Sequence, residues 1–354
     1  MSCLLVCFLN MKRGNVFAYR LFWLTLQRKS TSNEKAVEGK KSILFLINPK
    51  SGVQKKKKVL QAIEKNIDME IYDFSVEYTQ YAGHATELAS AATKRGVDVV
   101  VAVGGDGTVN EVGRALVHSN TAMGVIPCGS GNGFARHLGI PLGAKQAVEF
   151  INKAVPTKID YGKINNRPFF CACGVGFDAL VSNDFAKGNQ RGMFSYIQKT
   201  LVDWVTYKPE VYSIETSHSK KRIKAFVIAC GNASQYGNNA YIAPFASMRD
   251  SQLTISVMHP FTPLDVPAVV TQLFSNNLST SGYTKTFNAE WVRIIREKAG
   301  PAHFDGEPCE MEAELYIETV PAGISVLAAP GWSGTCKPLP LYRQFLDVVA
   351  GNVR

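Results

Sequence analysis

A run of β-branched residues leads directly into three glycines that surround a single carboxylate. The run spans 97–103, and residues 104–108 read Gly-Gly-Asp-Gly-Thr. The next residues, 109–116, place apolar side chains at helical spacing. A strand, a glycine turn and a helix in this order present bare backbone N–H groups and a helix N-terminus to a phosphate. The segment therefore predicts an anion-binding loop at the carboxyl end of a buried strand.

The carboxylate in this loop, Asp106, is the unexpected residue, because a carboxylate next to a phosphate repels it. Two kinds of chemistry would explain a carboxylate at this position. Either a divalent cation lies between the carboxylate and the phosphate, or the carboxylate takes a proton from a hydroxyl during phosphoryl transfer. The plainer alternative is a tight turn in which Asp106 caps the following helix.

A second glycine loop follows a second strand. The apolar segment 122–127 leads into 128–133, which reads Cys-Gly-Ser-Gly-Asn-Gly and opens a helical pattern. From residue 42 to 157, strand and helix patterns alternate, which predicts an α/β domain with a doubly wound parallel sheet. Glycine loops at strand ends then lie at the carboxyl edge of the sheet, where ligands bind in such folds.

The alternation of strand and helix patterns ends at Thr157. Short β-like segments follow, separated by turns of Asn, Gly, Pro and Ser. This pattern predicts an antiparallel β-sandwich, with a helical insertion at about 193–207. We therefore expect two domains with a ligand cleft between them, the first being 42–157 joined by the tail 333–354, the second 158–332. The predicted strands of the second domain are 159–164, 168–173, 211–217, 223–231, 253–258, 290–297 and 313–319.

Charge is distributed unevenly along the chain, which has 354 residues and a formal net charge of +10. Residues 1–41 hold eight Lys or Arg and two Glu, a net +6, so +4 is left for the rest. The nearly neutral body disfavours a nucleic-acid partner. A basic leader is better suited to peripheral contact with an anionic membrane. The cysteines have neither zinc-site spacing nor a CxxC pair, and we expect reduced thiols in a cytoplasmic protein.

The leader, residues 1–41, leaves two interpretations open. The stretch 17–26 mixes aromatic and aliphatic residues with Arg20 and is typical of an amphipathic helix at a membrane interface, which would place the protein at the inner membrane surface. The alternative is a disordered tail, or a protein that truly begins at Met11 or a later residue. The apolar stretch 3–9 is too short to span a bilayer.

Four motifs in order carry a family resemblance: Asn-Pro-Lys-Ser-Gly at 48–52, Gly-Gly-Asp-Gly-Thr at 104–108, Pro-Cys-Gly-Ser-Gly-Asn at 127–132 and Phe-Asp-Gly-Glu-Pro at 304–308. With Gly-Val-Gly-Phe-Asp at 174–178 between them, the chain resembles the catalytic family of diacylglycerol and sphingosine kinases in its soluble bacterial form. The similarity covers about Ser42 to Trp332. NAD kinases share the Gly-Gly-Asp-Gly-Thr element.

The resemblance implies an NAD kinase-like fold and ATP-dependent phosphorylation of a lipid hydroxyl, with ATP in the cleft and Mg²⁺ as its partner. Glu307 matches the proposed general base, and Asp106 matches the acidic residue assigned to phosphate, metal and proton chemistry. Standing alone, the Asp-Gly-Glu segment at 305–307 is more typical of an exposed turn. The nucleotide contacts that the motifs imply are Asn48, Thr79, Gly104, Gly105, Asp106, Gly107, Thr108, Val109, Asn110 and Ser130.

The resemblance also implies a structural magnesium site. In bacterial relatives it lies in an Asp-Gly-Leu-Leu-type segment that follows an Ile-Ala-Pro motif. The motif is present at 242–244, but 248–253 reads Met-Arg-Asp-Ser-Gln-Leu, which keeps Asp250 and replaces the glycine. The candidate ligands are therefore Asp250 and the backbone carbonyls of Ser247 and Gln252.

Three functions compete at this point. A lipid kinase is the first; a kinase for a soluble hydroxyl compound, on the NAD kinase pattern, is the second; a nucleotide-binding regulator without turnover is the third. The presence of both Asp106 and Glu307 argues against the regulator, which needs no base. The lipid itself is left open among diacylglycerol, a sphingoid base, ceramide and phosphatidylglycerol, and the oligomeric state is not readable from the sequence.

Overall fold

The structure, a computed structural model, describes residues 39–51, 56–180, 182 and 207–337. From Lys41 onward these residues belong to one compact unit, separate from the unit 1–40. The predicted leader helix at 17–26, the insertion at 193–206 and the end of the tail beyond 337 lie outside the described residues.

Sixteen strands and six α-helices are described, and we number each kind along the chain. The strands are β1 (Lys41–Ile47), β2 (Tyr72–Tyr78), β3 (Val99–Gly104), β4 (Ala122–Pro127), β5 (Val155–Ile164), β6 (Arg167–Phe169), β7 (Ala172–Gly176), β8 (Glu210–Glu215), β9 (Lys220–Ala225), β10 (Val227–Gly231), β11 (Leu253–Met258), β12 (Thr284–Ala289), β13 (Trp291–Ile295), β14 (Gly300–Phe304), β15 (Glu307–Met311) and β16 (Glu314–Ala328). The helices are α1 (Lys56–Asn66), α2 (His84–Lys94), α3 (Asp106–Leu116), α4 (Gly133–His137), α5 (Ala144–Lys153) and α6 (Val266–Phe274).

The first part of the chain forms the predicted α/β domain. Strands β2, β1, β3 and β4 lie side by side and are all parallel. β1, β3 and β4 are almost entirely buried, as expected for central strands covered by helices on both faces. Helices α1, α2, α3 and α5 pack buried Ala, Val, Ile and Leu side chains into the same core. The doubly wound prediction is confirmed.

One long strand joins this sheet to the second part of the molecule. β16 has 15 residues, and it pairs in parallel with β4 at Val326 but antiparallel with β13 from Glu314 to Glu318. Its register with β5 shifts between Val320 and Ile324, which marks a bulge. The ten-stranded sheet is therefore continuous from the nucleotide-binding side into the sandwich.

The second part is an antiparallel β-sandwich, as predicted. Its other layer is a six-stranded sheet in the order β12-β11-β10-β7-β14-β15. Buried side chains from both layers, such as Val175 and Phe304 on one and Ile214 and Ile294 on the other, form a common core. Aromatic residues including Phe177 and Phe226 form a further apolar cluster with α6. Within the described residues, none of the helices has the length and apolar character that crossing a membrane requires.

Strands β12, β14 and β15 and the end of β16 were not predicted from the sequence. Two predicted strands are each divided: 168–173 covers parts of β6 and β7, and 223–231 covers part of β9 and all of β10. β14 and β15 contain Gly, Pro and charged residues, and β12 is half-exposed, so none shows a strong strand pattern. Pairing with neighbours decides their conformation instead. The last predicted strand ended at 319, whereas β16 continues to Ala328, because the bulge lets it pass Pro321 and an Ala322 with φ +48°.

Ser251 adopts a left-handed φ of +60° in the turn before β11, where its backbone N–H donates to Asp160. This conformation is strained for Ser and free for Gly, so Ser251→Gly should raise the free energy of unfolding by about 0.5–1 kcal/mol. Denaturant unfolding measures the change. The matched control is Ser213→Gly in strand β8, which should lower stability. A loss of stability in Ser251→Gly as well would contradict the strain argument.

Candidate active site

The parallel sheet brings most of the predicted nucleotide contacts to one edge. Asn48 follows β1, Thr79 follows β2, the segment Gly104–Gly107 ends β3 and opens α3, and Ser130 follows β4. Since these four strands are adjacent and parallel, their carboxyl ends form a single row of loops. Ser130 is exposed at this edge, and Thr79 is buried.

The two glycine loops touch each other at their glycines. A Cβ on Gly129 would lie 2.7 Å from the Cα of Gly105, and one on Gly105 would lie 3.2 Å from the Cα of Gly129. The Cys128 N–H donates to the carbonyl of Gly104 at 2.7 Å. Side chains at these glycines would separate the loops, so the contact requires glycine and leaves backbone at the surface of the edge.

Asp106 is held by one carboxylate oxygen only. Its Oδ2 accepts a hydrogen bond from the Asn132 N–H at 2.9 Å, whereas Oδ1 is buried and has no hydrogen-bond partner among the described residues. Burial, and next the nearby Asp305 carboxylate, raise the pKa of Asp106 to about 6. Hydrogen bonds from the backbone N–H groups of 132–134 lower the pKa and so oppose this rise in part. The unpartnered oxygen fits either a cation or the proton of a hydroxyl.

Asp305 is a buried carboxylate that the sequence analysis did not single out. Its oxygens accept hydrogen bonds from Asn110 Nδ2 at 2.7 Å, from the Phe170 N–H at 2.9 Å and from the Cys171 N–H at 2.7 Å. Burial raises its pKa, and these donors oppose the rise. Asp305, whose φ is +48°, thereby anchors the turn before Glu307 to α3 and to the start of β7. Its place in the Asp-Gly-Glu motif was the available signal.

Glu307 begins β15 and reaches the first glycine loop. A Cβ on Gly107 would lie 3.2 Å from Glu307 Oε1, so the carboxylate is next to the residue that follows Asp106. Burial raises the pKa of Glu307, while the Arg114 guanidinium on α3 lowers it. The structure thus brings Glu307 to the loop that carries Asp106, two hundred and one positions earlier in the sequence.

Three other predicted contacts turn their side chains inward. Thr108, Val109 and Asn110 are buried on α3. Asn48 Nδ2 donates a hydrogen bond to Thr108 Oγ1 at 3.1 Å, and Asn110 Nδ2 donates one to Asp305 Oδ2. The side chains of these three residues are therefore directed away from a ligand at the loop, and the Val109 N–H donates to the carbonyl of Gly105.

A polar cluster lies next to this centre, on the face of the six-stranded sheet that carries His303. We call Asp178, Tyr236 and His303 the bridging cluster. Tyr236 Oη donates to Asp178 Oδ2 at 2.6 Å, and His303 Nε2 donates to the same oxygen at 2.9 Å. Burial raises the pKa of Tyr236 well above its ordinary value, so this hydroxyl keeps its proton. The sequence analysis gave Tyr236 no role.

The predicted magnesium ligands lie on a separate loop. Burial, with Asp160 nearby, raises the pKa of Asp250, and the Gln252 N–H donates to Asp250 Oδ1 at 3.1 Å. No group of three or more His, Cys, Asp or Glu that could hold a metal occurs in the part of the chain that the structure describes. The oxygen donors here, a carboxylate with backbone carbonyls of Ser247 and Gln252, are of the kind that Mg²⁺ prefers. Asp250 is exposed, and the magnesium site stays a prediction that rests on the kind of oxygen donors present.

Two family models match adjacent parts of the chain. The "Diacylglycerol kinase catalytic domain" matches residues 42–164, and the "YegS C-terminal NAD kinase beta sandwich-like domain" matches residues 171–328. Together they span the parallel sheet and the sandwich described above.

Relatives and solved structures agree with these matches. A "Probable lipid kinase YegS-like" of Chromohalobacter salexigens is 29% identical over 267 residues, covering 73% of this chain and 85% of the relative. A "Probable lipid kinase YegS" of Escherichia coli O9:H4 is 28% identical over 263 residues, covering 72% and 86%. A crystal structure described as a diacylglycerol kinase from Bacillus anthracis shares the fold with a TM-score of 0.67 at 20% identity, over 83% of this chain and 99% of that one.

The order of the two matched domains, the motifs within them and the relatives lead to one assignment. The chain belongs to the lipid kinase family in which a diacylglycerol kinase catalytic domain is followed by a YegS-type, NAD kinase-like β-sandwich domain.

Proposed function

We propose that the protein transfers the γ-phosphate of ATP to the hydroxyl of a lipid such as diacylglycerol or a sphingoid base. Its family makes it a phosphotransferase of the lipid kinase type, with an alcohol group as acceptor. The observation that carries the finer proposal is the meeting of Glu307 with the glycine loop of Asp106, where an unpartnered carboxylate oxygen lies beside bare backbone.

The nucleotide site in this proposal is the row of loops at the carboxyl edge of the parallel sheet. Phosphoryl transfer asks a protein for positioning and charge neutralisation more than for covalent chemistry. The backbone N–H groups at 105–107 and 130–131, together with the N-terminus of α3, supply donors for phosphate oxygens, whereas the Gly129 N–H donates to Asn132 Oδ1. Asn48, Thr79 and Ser130 flank them on the neighbouring strands.

We assign Asp106 to the cation that accompanies ATP. Mg²⁺ supplies charge neutralisation at the phosphates when it is bound. Asp106 Oδ1 is buried without a partner among the described residues, and the N–H of Asn132 keeps the other oxygen in place. Asp106 can therefore offer one oriented oxygen to a cation or to the proton of the acceptor hydroxyl.

We assign Glu307 to the acceptor hydroxyl as general base. Burial raises its pKa, which makes its carboxylate a better proton acceptor than an exposed one. The Arg114 guanidinium opposes the rise, because its positive charge favours the ionised carboxylate. Asp305 fixes the turn that presents Glu307, and it has no free donor or acceptor role of its own in the reaction.

We propose the predicted division of labour for the two domains. Residues 42–157, with 333–354, hold the nucleotide, and residues 158–332 cover the lipid. Support comes from the apolar aromatic cluster around Phe177, Phe226 and Phe261, which lies in the second domain beside the bridging cluster. Peripheral contact of the leader with an anionic membrane belongs to the same proposal.

The function is tested by incubating the protein with ATP labelled at the γ-phosphate and extracted lipids. Label in the organic phase supports a lipid kinase, and mass spectrometry of that phase names the acceptor. Label in a water-soluble product alone would point to a soluble hydroxyl compound, and absence of transfer to a nucleotide-binding regulator.

Removal of either acid should abolish turnover without unfolding the protein. Asp106→Asn and Glu307→Gln should each lower kcat at least about 100-fold, the usual scale for a lost proton-transfer or charge-stabilising group. Asp106→Asn should keep or raise the melting temperature at pH 8. The raised pKa means that the ionised Asp106 carboxylate destabilises the folded state at this pH, and asparagine carries no charge.

The matched control is Glu310→Gln, on the same strand as Glu307 but exposed. Its kcat should equal that of the wild type. Wild-type activity in Asp106→Asn or Glu307→Gln would remove that residue from the mechanism.

Activity should fall as the pH is lowered through about 6. The pKa of Asp106 is raised to about 6, that of Glu307 is raised as well, and both must be ionised to act. The pH profile of kcat/KM measures this, with nucleotide affinity followed in parallel to separate protonation of ATP itself. A rate that stays constant down to pH 5 would contradict the assignment.

Mg²⁺ should stabilise the protein without nucleotide. If Asp250 holds the ion, millimolar MgCl₂ should raise the melting temperature of the wild type by about 2 °C or more over NaCl of equal ionic strength. The shift in melting temperature should vanish in Asp250→Asn. It should persist in the control variant Asp73→Asn, which loses an exposed carboxylate on β2 instead. An equal shift in Asp250→Asn would place the ion elsewhere.

A further inference from the structure

The bridging cluster takes no part in the chemistry proposed above, yet it lies between the loops that carry the two catalytic acids. Asp178 Oδ2 accepts hydrogen bonds from Tyr236 at 2.6 Å and from His303 at 2.9 Å, while Oδ1 accepts one from the Ala179 N–H at 2.8 Å. Hydrogen bonds to a carboxylate in a buried site are short and strong, and they fix the groups that they join. The side chain of His303 is 3% exposed and that of Asp178 is 13% exposed.

One end of the cluster touches the loop that holds Asp106. A Cβ on Gly133 would lie 2.8 Å from the carbonyl oxygen of Tyr236, and Asn132 forms a β-bridge with Gly237. Asn132 is the residue whose N–H donates to Asp106. The backbone of Tyr236 is therefore packed directly against the donor that orients the first acid.

The other end of the cluster touches the turn that presents Glu307. His303 lies on β14 opposite Pro308 of β15, the residue after Glu307. Across the sheet, His303 pairs with Gly174 of β7. A Cβ on Gly174 would lie 2.6 Å from Asp178 Oδ2 and 3.0 Å from His303 Nε2, so a glycine is needed for these two side chains to meet over the strand.

We propose that Tyr236, Asp178 and His303 are positioning residues that set the separation between Asp106 and Glu307. They form a continuous connection from the Asn132 N–H through the second domain to the strand of Glu307. The inference rests on the proposed function, since it explains how the base stays within reach of the acceptor hydroxyl while the phosphates remain on the glycine loops. A displacement of about 1 Å at a reacting group commonly costs about 100-fold in rate.

The mildest test is Tyr236→Phe, which removes one oxygen atom and keeps the ring. We expect kcat to fall about tenfold while KM for ATP stays within about twofold, because the glycine loops still bind the nucleotide. The control is Tyr212→Phe, a fully buried tyrosine of the sandwich whose hydroxyl contacts Tyr207, and its kcat should not change.

A second pair of variants separates positioning from bulk. His303→Gln keeps an N–H donor on the side chain, whereas His303→Leu removes it. The glutamine variant should retain at least about threefold more kcat than the leucine variant at equal KM for ATP. Equal kcat in the two variants would overturn the role of His303.

Hydrogen exchange gives a readout that does not depend on turnover. In Tyr236→Phe, the amides of 131–134 and those of 305–307 and 309 should both exchange about tenfold faster, and in Tyr212→Phe neither set should change. Unchanged exchange at both segments overturns the proposal, whether or not the wild type phosphorylates a lipid. An active wild type with an unchanged kcat in Tyr236→Phe also overturns it, while an inactive wild type counts against the proposed function alone.

Discussion

The buried carboxylate of Asp305 is the interaction on which the site depends. It joins α3, the start of β7 and the turn before Glu307, which come from three distant parts of the chain. Without it the backbone N–H groups of Phe170 and Cys171 would lose these buried hydrogen bonds, at a cost of about 1–3 kcal/mol for each group left without a partner. The geometry of the base is therefore tied to the helix that begins at Asp106.

The parallel sheet supplies the other half of the site. Its strands end side by side, so each loop contributes one or two groups to a common edge. The close contact between Gly105 and Gly129 requires glycine at both positions, so the two glycine loops present backbone where they meet. β16 connects this sheet to the sandwich, so the nucleotide-binding loops and the strand pair of Glu307 are parts of one continuous framework.

Much of this arrangement could be predicted from local sequence. The strand at 122–127 and the glycine loops have local sequence patterns that are sufficient to predict their conformation. The residue types of the Asp106 loop alone indicate an anion-binding site. β14 and β15 could not be predicted, because Gly, Pro and charged residues in them become strands only through pairing. The same applies to Asp305 and Tyr236, whose partners are more than fifty residues away.

The central claim is that Asp106 and Glu307 act on one transition state. The most direct test is a double-mutant comparison of kcat for Asp106→Asn, Glu307→Gln and the variant with both changes. If the acids act together, the double variant should be no slower than the slower single variant, within about threefold. If the two losses multiply in the double variant, the acids act independently, and the account of a single shared site is wrong.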